Sequence, residues 1–276
     1  MASGADVAVS GEMHPGPAVP EAADRFGAGH GSARRRPWLY FALLFLLTVP
    51  AYALRLVPPC SIVMVVLPLV AASLLTYREA GREGVRRLLG RSLDYRRIDD
   101  RRWYFPILLL PPAVLALQFW LVLNGTPVSP PQATLLLLAA YFPVFVVAGI
   151  FEEIGWSAYA LDPLQARWGA LAAALIIGAA WALWHGIPYV LANPLPWVAG
   201  QMATTVLLRV LMVWVYNNTG GSVFGVALFH AMTNMITVPD YGIAYDPGFA
   251  SVVLAAMTAV VVLLWGPRTL ARFRHR

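Results

Sequence analysis

From residue 37 onward, long apolar runs alternate with short polar ones, at the spacing of helices that cross a lipid bilayer. A crossing takes roughly 20 residues. Eight stretches reach or approach that length: 37–56, 59–77, 103–123, a fourth from about 132 into an acidic pair at 152–153, then 169–185, 197–216, 221–238 and 249–265. The predicted fold is all-α, a polytopic membrane bundle of about eight transmembrane helices. Residues 1–33 depart from the pattern. They are rich in Gly, Ala, Pro and His and have no long apolar run, which predicts a disordered tail rather than a cleaved secretion signal. Residues 34–276 are read as one transmembrane domain, with the chemistry-bearing positions gathered at about 145–240.

Charge then orients the helices. All 20 basic residues are arginine. Nine lie in 78–102, and others stand at 34–36 and in the closing tail, whereas the segments 124–131, 187–196 and 239–248 hold none. Positive charge favours the cytoplasmic side. The expectation is an inner-membrane protein of the cell with an even number of crossings and both termini cytoplasmic. Among the arginines of 78–102 stand Val85, Leu88, Leu89, Leu93 and Ile98. Two readings fit them: a helix lying on anionic lipid, or a solvated basic loop. Composition agrees with the membrane class. The chain is 59% hydrophobic and 12% charged, with a mean hydropathy of +0.65, against about 25% charged in soluble domains. The net charge of +6 is explained by arginines flanking helices, so the expected partner is the lipid bilayer and no nucleic acid. Cys60 is the lone cysteine, so no internal disulfide forms.

Residues 104–267 contain five acids, Glu152, Glu153, Asp162, Asp240 and Asp246. A charge at bilayer depth costs on the order of 2.5–3.5 kcal/mol even on lenient scales, so an adjacent pair must serve something or be neutralised. Arg209 is the arginine placed to neutralise one of the two, hardly both. Three local patterns stand out: Glu152-Glu153-Ile154-Gly155-Trp156-Ser157, Trp181-Ala182-Leu183-Trp184-His185-Gly186, and His230-Ala231-Met232-Thr233-Asn234. On helices, Glu153 shares a face with Ser157, and His230 with Asn234. His185 or Asn234 alone would be read as packing or interhelical glue, and the surrounding aromatics as packing or interface anchors. Taken together, two Glu, two His and one Asn on three apolar segments favour a site. A carboxylate at low dielectric suits a general base acting near neutral pH. Histidine and asparagine side chains can donate to a developing oxyanion.

The three patterns resemble the CPBP family of intramembrane proteases, which includes type II CAAX prenyl proteases and bacteriocin-immunity relatives. That family carries Glu-Glu-x-x-x-Arg, Phe-x-x-x-His and His-x-x-x-Asn on successive membrane segments. Here Ser157 stands at the arginine position and Trp181 at the phenylalanine position. The resemblance implies an intramembrane endopeptidase that hydrolyses a peptide bond of a membrane-associated peptide or protein substrate, a prenylated CAAX-type protein being one class. It implies Glu152 as the water-activating base, Glu153 and His185 as water-positioning groups, and His230 and Asn234 as oxyanion donors. No cofactor is favoured. If the chemistry were metal-dependent, Glu152, His185 and His230 would be the zinc ligands of a three-ligand open site. The alternative is a catalytically weak or inactive relative, acting as a bacteriocin-immunity or partner-binding membrane protein. A small proton-coupled transporter is a third reading, disfavoured because the acidic pattern is not repeated.

Straight helices create a conflict. They put Glu152 near the cytoplasmic end of the fourth span and His185 near the outer end of the fifth. The groups meet only if the helix of the acids continues past residue 160, if the boundaries differ, or if the chain breaks near Gly186-Ile187-Pro188.

Overall fold

The computed structural model describes residues 35–53, 62–123, 135–236 and 245–271. The tail at 1–33, Cys60 and the loop at 124–131 lie outside the described residues. Among those described, the architecture is all-α: α1 Pro37–Ala53, α2 Ile62–Gly90, α3 Tyr104–Leu123, α4 Leu135–Glu153, α5 Asp162–Trp168, α6 Ala170–Ala192, α7 Leu195–Asn218, α8 Val223–Met235 and α9 Pro247–Trp265. Each of the eight apolar stretches corresponds to one helix. By length and composition, five spans are long and apolar enough to cross a bilayer: Val63–Leu93, Leu136–Trp168, Ala170–Ala192, Leu195–Asn218 and Pro247–Trp265. The chain is a multi-pass membrane protein with at least these candidate crossings. α8 has 13 residues, about 20 Å at 1.5 Å per residue, and falls short of a bilayer core of roughly 30 Å. Leu46, Leu136, Leu191 and Val252 are each more than two-thirds exposed. Such an apolar exterior is what a lipid environment allows and water does not.

The conflict over the acids is resolved by continuity. α4 does not stop at Glu153 but runs through a π-helical segment, Ile154–Leu161, into α5. Glu152 therefore stands at the midpoint of the Leu136–Trp168 span, 16 residues from each end (152 − 136 and 168 − 152). α6 also overruns its expected end. It continues through Pro188 to Ala192 with no break at 186–188. Proline deprives a helix of one donor but need not end it when neighbours hold the strand of backbone in place. Glu152 and His185 thus both lie inside their helices rather than at the ends.

Two close approaches seat the site. A Cβ on Gly149 would lie 2.7 Å from the Ala227 carbonyl oxygen and 3.5 Å from the His230 Cβ, so only glycine lets α4 lie this close to α8. A Cβ on Gly178 would lie 3.0 Å from Val206 Cα and 3.2 Å from Arg209 Cβ, which presses α6 onto α7. The π segment is entirely buried. The Ala158 carbonyl in it, five residues before Pro163, which has no N–H to give, accepts from Arg35 and, at 3.5 Å, from Arg91.

The arginine-rich 78–102 segment is largely helical and docked. Gly81 at φ +64° kinks α2, a backbone state that suits glycine. Residues 91–103 form three single-turn 3-10 helices. Leu88 and Ile98 are buried in the bundle, whereas Leu89 and Leu93 face outward. Asp94 from this segment accepts from the Val223 and Phe224 amides at 3.2 and 3.0 Å, capping α8. Arg91 donates to the Tyr216 hydroxyl at 2.7 Å and the Gly221 carbonyl at 2.6 Å. The segment so fixes the helix that carries His230.

Candidate active site

Glu153 is the buried anchor, with no exposure at all. Arg209 NH1 and NH2 donate to its two carboxylate oxygens at 2.8 and 3.0 Å. Ser157, one helical turn on, donates its hydroxyl to Glu153 Oε2, and Arg209 NH1 stands 3.5 Å from that hydroxyl. His230 Nδ1 donates to Glu153 Oε1 at 3.0 Å. The two-pronged guanidinium–carboxylate geometry is the one arginine fits best. The charge absent at position 157 therefore reaches Glu153 from α7 instead. As the sequence suggested, Arg209 satisfies one glutamate and not both.

Glu152 is placed differently. Its Oε2 accepts from Trp181 Nε1 at 3.1 Å, and its Oε1 faces His230 Nε2 at 4.0 Å. With Nδ1 on Glu153, the other ring nitrogen of His230 is thereby turned toward Glu152. His185 Nδ1 donates to the Trp181 carbonyl at 3.1 Å, and its ring stacks on Tyr189 at 5.7 Å between centroids. Arg209 lies over the Trp181 ring, 4.4 Å from its centroid.

A cavity of about 550 Å³ opens onto this cluster. Glu152, His185, His230 and Asn234 all line it; Glu153 lies behind them. The walls from α2, α3 and α4 are apolar and aromatic, with Met64, Val114, Tyr141 and Phe145 among them. The α7 wall is polar, with Gln201, Thr204 and Thr205. Tyr245, ahead of α9, donates to Gln201 Oε1 at 3.0 Å. Burial pushes the Tyr245 hydroxyl up to about 12, so it keeps its proton at physiological pH. These polar wall residues were not singled out from the sequence. Their signal was present: Gln201 and Thr205 are one turn apart on a mostly apolar helix. A mostly apolar pocket with a few convergent polar groups is the usual form of a substrate site.

The structure thus brings Glu152, Glu153 and His230 into one bonded cluster, and sets His185 and Asn234 on the same cavity. It does not gather the would-be zinc ligands. Among the described residues, no three His, Cys, Asp or Glu side chains converge in an arrangement that could hold a metal ion. His230 holds Glu153 and His185 a backbone carbonyl through Nδ1, which leaves Nε2 as the nitrogen each ring could still offer. It is the spacing of the three groups, not the state of the ring nitrogens, that does not fit zinc.

Residues 134–236 match the family described as type II CAAX prenyl endopeptidase, Rce1-like. The chain is also similar to "CAAX prenyl protease 2" of Methanococcus maripaludis, with 27% identity over 144 residues, covering 47% of this chain and 53% of that protein. It thus spans about half the length of the curated relative it matches. The matched segment supplies Glu152, Glu153, Trp181, His185, Arg209, His230 and Asn234, while Met64, Val114 and Tyr245 of the cavity wall lie outside it. The helical core that carries the site, residues 134–236, is thus the part of the chain that resembles the Rce1-like type II CAAX prenyl endopeptidases.

Proposed function

We propose that this protein is an intramembrane endopeptidase in which Glu152 activates water. The observation that carries the reading is the division of labour between adjacent carboxylates. Glu153 is bound on both oxygens by Arg209, Ser157 and His230, while Glu152 faces the cavity. Glu152 takes a proton from water as the water oxygen bonds to the scissile carbonyl carbon. The carbonyl oxygen becomes an oxyanion, for which His230 Nε2, in the imidazolium form, and the Asn234 amide are the donors. Collapse of the intermediate breaks the carbon–nitrogen bond, and the proton held by Glu152 passes to the leaving amine. His185 borders the same water space. Glu153 acts on His230, fixing which ring nitrogen faces the cavity.

The substrate class is a membrane-associated peptide or protein, and the apolar α2–α4 wall suits a lipid-modified one, with the prenylated CAAX type as the first to test. The reading of the chain as an inactive immunity or partner-binding relative rests on Ser157. Arg209 occupies the role that serine leaves open, which weakens that ground. The test is cleavage of a quenched-fluorescent farnesylated peptide by full-length protein in liposomes. Wild type should cleave and Glu152→Gln should not. Equal cleavage by both would remove the assignment of the base.

A further inference from the structure

We propose that Trp181 is a positioning residue of this site, its indole N–H fixing the Glu152 carboxylate while its ring face keeps Arg209 committed to Glu153. The inference rests on Glu152 being the base.

An indole presents two unlike surfaces. Its face carries negative electrostatic potential and its N–H edge positive. At Trp181 both are in use at once. The edge donates to Glu152 at 3.1 Å. The face receives the Arg209 guanidinium at 4.4 Å, a cation–π contact strengthened by desolvation at a residue only 5% exposed. The same ring meets His230 edge-on at 5.1 Å and His185 at 5.6 Å between centroids, and its carbonyl accepts from His185 Nδ1. Trp181 therefore touches Glu152, Arg209, His185 and His230.

The arrangement sorts the charges. Arg209 has two adjacent carboxylates within reach of its helix, and a guanidinium shared between them would quench the base. The ring lies under the guanidinium, whose two terminal nitrogens both go to Glu153. Glu152 is left with a neutral donor on one oxygen, which holds its orientation without neutralising it. A phenylalanine here would keep the face and lose the edge; an aliphatic residue would lose both.

That difference gives the test. Trp181→Phe and Trp181→3-benzothienylalanine, the latter an isostere with sulfur in place of N–H, both delete the donor and keep the ring. Each is expected to lower kcat on the farnesylated peptide by about tenfold, the order of a lost hydrogen bond to a charged group. KM should stay within about twofold and Tm near wild type. Trp181→Leu should lower Tm as well. Independently of turnover, the N–H band of Trp181 in ultraviolet resonance Raman, identified by its loss in Trp181→Phe, should move to the unbonded position in Glu152→Ala. Wild-type kcat in the isostere alongside an inactive Glu152→Gln would overturn the positioning role and leave the base intact. An unmoved Raman band would overturn the bond itself. Full turnover by Glu152→Gln would overturn both readings.

Discussion

At the scale of single residues, the central pairing is Arg209 with Glu153, both essentially without solvent exposure. Removing one member of a buried ion pair leaves an uncompensated charge and typically costs about 3–5 kcal/mol. Arg209→Met is expected to lose stability of that order and all activity. Position 157 offers a rescue. Its hydroxyl already reaches Glu153, and Arg209 NH1 lies 3.5 Å away from it. An arginine at 157 would enter the space the Arg209 guanidinium vacates. The double variant Ser157→Arg, Arg209→Met should recover much of the lost Tm in thermal denaturation of detergent-solubilised protein. A double variant no more stable than Arg209→Met alone would show that the charge cannot be supplied from the acidic helix. The sequence made Arg209 visible because an arginine inside an apolar span demands a partner. It marked Trp181 only as the aromatic of a motif, because an aromatic in a membrane helix is usually packing, and its polar edge matters only once the neighbour is known.

At the scale of elements, the site depends on how near α4 comes to α8. Gly149 has the Ala227 carbonyl where a side chain would begin. Gly149→Val should force the helices apart, costing about 1–3 kcal/mol by overpacking and lengthening the 3.0 Å His230–Glu153 bond. Activity should fall further than the change in Tm alone explains; wild-type kinetics in that variant would show that the helix spacing is not what seats His230. Helix existence was legible from the apolar runs, and each predicted stretch has its helix. The ends were not. A π segment has no sequence signature of its own, so the continuation of the acidic helix to Trp168 could be inferred only from the need for the groups to meet. Pro188 looked like a terminus, yet sits inside α6. The 78–102 segment, ambiguous by composition, is fixed by contacts remote in sequence, Asp94 on α8 and Arg91 on Tyr216.

At the scale of the whole molecule, Glu152, His185, His230 and Asn234 from α4, α6 and α8 face one cavity, with Glu153 and the α7 arginine buried behind it, inside a bundle with an apolar exterior. By charge alone, the arginines at 78–102 and in the tail give the expectation that both termini face the cytoplasm. Reporter fusions at either terminus should therefore be active as cytoplasmic fluorescent protein and silent as exported phosphatase; the opposite pattern would reverse the topology. Because no metal-holding group of three acidic, histidine or cysteine side chains is formed among the described residues, peptide cleavage is expected to survive chelators, and purified active protein to carry well under one zinc per chain. Chelator-sensitive cleavage restored by added zinc would contradict that expectation.

The most direct test is the single-turnover rate of farnesylated-peptide cleavage in liposomes by wild type and by Glu152→Gln at matched folding. A positioned general base contributes about 10²- to 10⁴-fold, so a loss in that range is expected with Tm unchanged. Cleavage by Glu152→Gln at the wild-type rate would contradict the account.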